Sequence, residues 1–345
     1  MIDDTERRMT IDDVAKVAGV SRSTVSLVLR NSDLVAERTN IIVREAADRI
    51  GYVYNRTAAI RAKLSNLVGI IIPDLTNPFF ADLTAGVDQV LNEAGWISLL
   101  GNSWESAASQ EKILRRMHEH NVDAVIVCPT NDSDNATTES LSRSGLRVLQ
   151  VLRRMDDETS YLGIDYADGV SLAVSHLHEL GHKDIVFLGG ELIHSAAKER
   201  FRGYRSSMLE RGLEPKHVPC VLRRAGAAEA VAELHRSAAL PTAFICFNDV
   251  VAMGAMNGLE RLGLKVGHDV SVVGFDNVAD AAFSMPPLTT VDTQARQLGE
   301  KAARLVLGSI QEGHAISQTT ITKTSLIVRG STGRVAEPRK PESLR

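Results

Sequence analysis

Apolar residues follow a helical period over the first fifty or so positions, and the period changes at residue 67. In TIDDVAKVAGVSRSTVSLVLRN (residues 10–31) Thr10 is an N-cap and Asp13, three residues on, makes a shortened capping box. Val14, Val17 and Ala18 then have the three/four spacing of a short helix with one buried stripe. Gly19 stops that helix and Ser21 caps a second. In the second, Val25, Val28 and Leu29 share one face, while Arg22, Ser23 and Ser26 lie opposite. VAERTNIIVREAADRIGY (35–52) gives a third helix with Ile42, Ala46 and Ile50 in register and Gly51 as its stop. Two short helices joined at a glycine and braced by a third form a helix-turn-helix, whose second helix fits the DNA major groove.

Beyond residue 67 short apolar strands alternate with amphipathic stretches. LVGIIIP (67–73) reads as a buried strand, followed by a helix carrying Phe80, Leu83, Val87, Val90 and Ala94. WISLLG, DAVIVCP and RVLQVL continue the strands, with helices near 106–120 and 135–144. After YLGIDYADG the scheme restarts, with helices near 168–180 and 196–211 and strands DIVFLGG, TAFICFN and VSVVGFD. Apolar strands separated by helices predict parallel sheets covered on both faces. Two such series predict an α/β body of two open parallel-sheet subdomains behind the helix-turn-helix head.

Composition narrows the function. At 345 residues the chain has room for two or three domains, and its 44% apolar and 24% charged content is that of a globular protein. Only 4% is aromatic, so the cores are built from Val, Leu, Ile and Ala. No run of about 18 apolar residues is present to span a membrane, and MIDDTERRMT has no apolar signal region. Cys128, Cys220 and Cys246 are odd in number and widely spaced, as expected of reduced core residues in a cytoplasmic protein. Residues 14–63 carry nine Lys and Arg against four Asp and Glu, whereas residues 64–345 carry 28 against 34. A basic head on an acidic body suggests that only the head meets a polyanion.

In these stretches the sequence resembles the lactose-repressor/galactose-repressor (LacI/GalR) family of transcription factors. The matching segments are TIDDVAKVAGVSRSTVSLVL, VAERTNIIVREAADRIGYVYN, PDLTNPFF, HLHELGH, ERFRGY, FNDVVAMGAM, VSVVGFDN and PPLTTV, in the family's order from residue 10 to about 330. The resemblance implies a body of periplasmic-binding-protein type and makes Arg22 and Ser23 the main base readers. Ser21, Thr24, Asn31 and Arg56 would hold phosphates, and Thr10, Ser26, Asn55 and Ala58 complete the DNA-facing set. Leu27 stands where many relatives carry a polar reader; it either meets a thymine methyl or leaves the position unread. Relatives fold the segment after the head into paired hinge helices on DNA, wedging a Leu into the minor groove. Here the corresponding residue is Ile60, with Leu64 as the second choice, and an ordinary flexible linker is the alternative.

Open parallel sheets bind ligands beyond the carboxyl ends of their strands. The candidates there are Asp74, Asn77, Phe79, Phe80, Arg153, Asp165, Arg200, Asn248 and Asp276. By resemblance, Phe79 stacks on a sugar-like effector while Arg200, Asn248 and Asp276 hydrogen-bond its polar groups. Several sugar-binding relatives have an Asp where this chain has Leu152, so a contact is lost there and Arg153 either replaces it or does not. An acidic sugar derivative therefore becomes a candidate effector.

The expected organisation is a head at 9–54, a hinge at 55–66, a first subdomain of 67–163 with 293–318, a second of 164–292 with 319–331, and a tail at 332–345. Met9 is preceded by eight residues that read as an alternative start or an N-terminal arm. The tail GRVAEPRKPESLR has no apolar heptads, so a homodimer rather than a tetramer is expected. His176 and His178 are two apart on a helix and point away from each other, so no metal is expected. Without G-x-G-x-x-G, a P-loop or a G-x-S-x-G elbow, no cofactor and no enzyme activity are expected. These features describe an effector-controlled repressor of a pseudopalindromic operator. A periplasmic-type receptor without DNA function shares the body and is the alternative.

Overall fold

Local capping sets where the first helices begin and end. The computed structural model describes residues 10–29, 34–50, 64–130, 146–156, 159–237, 239–314, 316 and 319–335. Helices α1 (Ile11–Ala18), α2 (Arg22–Leu29) and α3 (Glu37–Arg49) lie in one compact unit, residues 1–63; residues 64–345 form the other. Thr10 Oγ1 accepts from Asp13 N at 3.4 Å while Thr10 N donates to Asp13 Oδ2 at 2.9 Å, satisfying two orphan donors reciprocally. Gly19 ends α1 at φ 64°, a conformation that costs glycine nothing. Ser21 Oγ accepts from Thr24 N at 3.1 Å and starts α2.

The core of this unit is Val14, Ala15, Val25, Val28, Val43, Ala46 and Ala47. Two residues expected in it lie outside: Val17 is 45% exposed and Ile42 is 42% exposed. Runs such as Ile41-Ile42-Val43 offer more than one apolar stripe, and helix packing selects the one through Val43 and Ala47.

In the body, β1 (Leu67–Ile72), β2 (Ile97–Asn102), β3 (Ala124–Val127), β4 (Arg147–Val151), β5 (Tyr161–Ile164) and β11 (Thr319–Thr322) form one sheet. Their order is β11-β5-β4-β3-β1-β2, and every pair is parallel. The second sheet takes β6 (Ile185–Gly189), β7 (Lys216–Pro219), β8 (Ala243–Cys246), β9 (Ser271–Asp276), β10 (Thr289–Asp292) and β12 (Ser325–Ile327) in the order β12-β10-β9-β8-β6-β7. There β10–β12 is the antiparallel pair. Helices α4 (Pro78–Glu93), α5 (Ala107–Glu119) and α11 (Ala295–Glu312) accompany the first sheet. Helices α6 (Tyr166–Glu179), α7 (Ser195–Glu210), α8 (Arg224–Ser237), α9 (Asp249–Arg261) and α10 (Ala279–Phe283) accompany the second. Strands β3, β6, β8 and β9 are buried throughout, as sheets covered on both faces require.

Several expectations change. Strand β11, placed by sequence in the second subdomain, completes the first sheet beside β5, so the last crossover between subdomains follows residue 322. Ala94 caps the end of α4 in solvent, and Leu91 takes the core position instead. The apolar strand β2 is not buried: it is the edge of its sheet, and Ile97, Leu99 and Leu100 are 60%, 37% and 46% exposed. The helix expected near 135–144 lies outside the described residues. Helix α4 packs on α11 with backbone against backbone: a Cβ on Gly86 would strike the Arg296 carbonyl, and one on Gly299 the Leu83 carbonyl.

Candidate functional site

Two groups of candidates are distinguishable by burial. In the first unit the outer face of α2 is exposed. Arg22, whose side chain is 70% exposed, reaches Asp12 at 3.6 Å, a weak surface contact that leaves its donors available. Ser21 Oγ bonds Ser23 Oγ at 2.7 Å and Thr24 Oγ1 at 2.8 Å, an arrangement held by its own turn. Ser26 and Leu27 are half-buried beside this face. The Thr10 hydroxyl is occupied in the α1 cap, where it donates to Asp13 Oδ2 at 2.7 Å. Asn31, Asn55, Arg56, Ala58 and Ile60 lie outside the described residues. Leu64, the second hinge candidate, packs partly buried against the core of the body. Arg44 Nε donates to Asn40 Oδ1 at 2.6 Å and its Nη2 to the Val28 carbonyl at 3.5 Å, tying α3 to the end of α2.

The second group converges in the body. The carboxyl ends of β1, β3, β4, β6, β8 and β9 surround a cavity of about 50 Å³. From the first subdomain it is lined by Asn77, Phe79, Phe80, Cys128, Leu152 and Arg153. From the second come Tyr166, His194, Ala196, Arg200, Phe247, Asn248 and Asp276. Six of the predicted residues other than Arg153 are therefore brought together: Asn77, Phe79, Phe80, Arg200, Asn248 and Asp276. Asp74 and Asp165 are not among the lining residues. Asp74 Oδ1 turns back to accept from Thr76 N at 2.9 Å, and Asp165 Oδ1 caps α6 by accepting from Asp168 N at 3.0 Å. Short acids at a strand end satisfy the nearest orphan N–H first, which removes both from the cleft.

Arg200 sits on α7 with its guanidinium carbon 4.1 Å from the Tyr166 ring centre, 4.4 Å from Phe275 and 4.6 Å from Phe247. Three ring faces hold a buried cation where few oxygens can. Its Nη2 is 3.6 Å from Asp276 Oδ1, its Nη1 reaches the Ala196 carbonyl at 3.5 Å, and its Nε has no partner among the described residues. Burial pushes the Asp276 carboxyl well above the usual carboxylate range against the pull of Arg200. Asp276 and the following Asn277 hold φ angles of 113° and 59°, strained values for residues with a Cβ and common at functional sites.

Arg153 answers the question raised by Leu152. Leu152 itself adopts φ 66°, and Arg153 beyond it makes a two-pronged pair with Glu105, Nη1–Oε2 at 2.9 Å and Nη2–Oε1 at 2.8 Å. Nη1 also donates to the Pro129 carbonyl at 3.1 Å. Asn77 Oδ1 accepts from Phe79 N at 3.1 Å and Asn248 Oδ1 accepts from Val251 N at 2.9 Å, so each caps a helix. Each can offer a ligand its Nδ2 and the remaining lone pair of Oδ1.

Sequence reasoning missed His194, Tyr166, Phe247, Cys128 and Glu105. His194 Nδ1 accepts from Ala197 N at 3.0 Å as the cap of α7, so the ring proton resides on Nε2. Burial first, then repulsion from Arg153, Arg200 and Lys198, lowers its pKa to about 2. Burial likewise pushes the Cys128 thiol up to about 12, making it an inert lining group. A His directly before a helix and three residues ahead of a free N–H was a legible capping signal. Glu105 had no such signal, because its partner is far away in sequence.

His176 and His182 are fixed elsewhere: Nε2 of each bonds Thr332 Oγ1 at 2.9 Å and the Gly333 carbonyl at 3.0 Å, respectively. Among the described residues no cluster of His, Cys, Asp and Glu has the make-up of a metal site, and no helix is long and apolar enough to cross a membrane.

Comparison with known proteins agrees with this division. Residues 10–55 match the pattern of bacterial regulatory proteins of the lacI family, and residues 174–332 match a periplasmic binding protein-like domain. The HTH-type transcriptional repressor PurR of Vibrio campbellii is 31% identical over 329 residues, covering 93% of this chain and 98% of that protein. A structure of the transcriptional regulator CelR with cellobiose is 28% identical, with a TM-score of 0.70 over 94% of this chain and all of that one. A LacI family regulator from Enterococcus faecium with bound ribose is 26% identical, with a TM-score of 0.72 over 78% of this chain and 100% of that one. With a lacI-family match over the exposed first helices, a two-sheet body behind them in sequence and a repressor similar along nearly its whole length, the chain belongs to the LacI family of DNA-binding transcriptional regulators.

Proposed function

We propose that this chain is a cytoplasmic, nucleoid-associated repressor that binds a pseudopalindromic operator as a homodimer, under control of a sugar or sugar derivative in the body's cleft. The observation that carries the reading is the outer face of α2, where Arg22 and Ser23 stand exposed on a helix whose start is locked by Ser21. Arg fits the O6 and N7 acceptors of guanine, and small hydroxyls suit either bases or phosphates. In this reading residues 9–54 read DNA, 55–66 form the hinge with Ile60 as its wedge, and the body senses. Its subdomains are 67–163 with 293–322, and 164–292 with 325–331.

Dimerisation is supported by apolar surface that nothing in the described chain covers. Edge strand β2 presents Ile97, Leu99 and Leu100, and Phe283 and Met285 are each 88% exposed. A sugar-class effector is supported by the bound cellobiose and ribose of the two relatives and by the stacking and hydrogen-bonding groups collected around the cavity. The effector would shift the balance between two arrangements of the subdomains according to its affinity for each.

The test is selection of bound duplexes from a random library by the full chain, followed by titration at several salt concentrations. Enrichment of a two-fold pseudopalindrome, with a steep fall of affinity against salt, is the expected outcome. An unenriched library from protein that still binds a sugar would favour the receptor without DNA function.

A further inference from the structure

The hydrogen-bonding groups at the cavity are unequal in kind. Arg153 and Arg200 are donors only. His194 is fixed as an Nε2 donor by its cap, and Asn77 and Asn248 each have one oxygen lone pair engaged in a cap, leaving Nδ2 as their stronger offer. Asp276 is the one lining carboxylate among the described residues, and burial favours its neutral form. A neutral polyol both donates and accepts at each hydroxyl, so it would face this wall with many donors unmatched. An oxyanion only accepts, and it matches.

Arg153 already holds such a group. Glu105 reaches it from the loop between β2 and α5, and its carboxylate has no other hydrogen-bond partner among the described residues. The Arg153 side chain is 9% exposed, while that of Glu105 is 37% exposed. The cation thus lines the cavity, while the anion, which is not itself a lining residue, is the more solvent-exposed partner. Arg200, on the facing wall, keeps long contacts and an unpartnered Nε although it is buried.

We propose that the effector carries an oxyanion, a carboxylate or a phosphate, and that Glu105 is an intramolecular stand-in which it displaces from the Arg153 fork. This rests on the cleft being the effector site. Glu105 is a built-in competitor: its effective concentration raises the ligand concentration needed for response, and its release frees the loop at the end of β2.

The experiment is calorimetric titration of wild type, Glu105→Gln, Arg153→Met and Arg200→Ala with four probes: galacturonate, gluconate, glucose 6-phosphate and neutral galactose. A carboxylate or phosphate compound should bind wild type, bind Glu105→Gln about tenfold tighter or more, and bind Arg153→Met at least tenfold more weakly. The two acids against the phosphate ester distinguish the sources of the oxyanion. Because Arg153→Met removes half of a buried pair, acetate and inorganic phosphate are also added to Glu105→Ala. Either anion should restore several degrees of lost Tm there, and neither should do so in Glu105→Ala combined with Arg153→Met. Galactose binding alone, abolished by Arg200→Ala, would overturn the oxyanion and leave the cleft as the sensor. Oxyanion binding indifferent to Glu105→Gln would overturn the stand-in. Failure of all four probes together with failure of anion rescue would overturn the inference and count against the cleft reading itself.

Discussion

The outer face of α2 and the walls of the cleft contrast in how they hold their working side chains. Ser21 and Thr24, three residues apart, organise the start of α2, and Arg22 remains exposed. In the cleft, Arg153 is held by a residue 48 positions away, and Arg200 is held by rings from three separate stretches of the chain. A reading surface needs donors that are not yet engaged, so its residues are tied only to their own turn. A buried recognition site has to neutralise its charges before any ligand arrives, so its residues are embedded in the fold. Under the proposed function, stability and function are separable in the first region and entangled in the second.

Substitutions test that separation, beginning with the largest effect. Arg200→Ala should abolish the effector response and lower the stability of the body by about 3 kcal/mol, since the buried guanidinium's contacts with three ring faces are lost. Differential scanning calorimetry should show this as ~6–12 °C in the Tm of the body transition, with operator affinity changed little. Unchanged Tm would mean the two regions are built alike. Arg22→Ala should cost about 1–3 kcal/mol per half-site and relax one base position, with no change in Tm. A retained consensus with a shallower salt slope would make Arg22 a phosphate contact instead.

The third test is proton linkage at the cleft. His194 titrates near the ordinary 6.5 when unfolded and at about 2 when folded, so its neutral ring is the folded form. Its contribution is complete above pH 6.5 and declines by about 1.4 kcal/mol per unit as pH falls below that value. His194→Asn, which keeps a cap without the titration, should flatten the Tm profile between about pH 8 and pH 5. A parallel profile in wild type and variant would dissociate the cap from the acid sensitivity. The smallest effect belongs to the head: Thr10→Ala removes the α1 cap and should cost about 1 kcal/mol there while leaving the body transition in place.

The same contrast explains what was legible in the sequence. Caps, stops and strand runs are short-range signals, so Thr10, Gly19, Ser21 and the alternation of strands and helices could be read directly. Burial direction was less legible where apolar residues adjoin, as at Ile42 and Val43, because neighbouring helices choose the face. Strand β2 looked like a core strand because composition does not reveal a sheet edge. Asp74 and Asp165 looked like ligand groups because acids at strand ends suit both roles, and only the nearest N–H decides. Glu105 was invisible, since nothing in its own neighbourhood names Arg153.

The first sheet has one further consequence, for the order of synthesis. Its strand β11 and the helix α11, which packs against α4 through Gly86 and Gly299, lie at Thr319–Thr322 and Ala295–Glu312. Every strand of the second sheet except β12 lies before Ala295. A chain emerging from the ribosome therefore exposes the start of the first subdomain early but completes it only after nearly all of the second has been made. The first subdomain therefore carries the long loop closure from β5 to β11, and its α4 face meets α11 only late in synthesis.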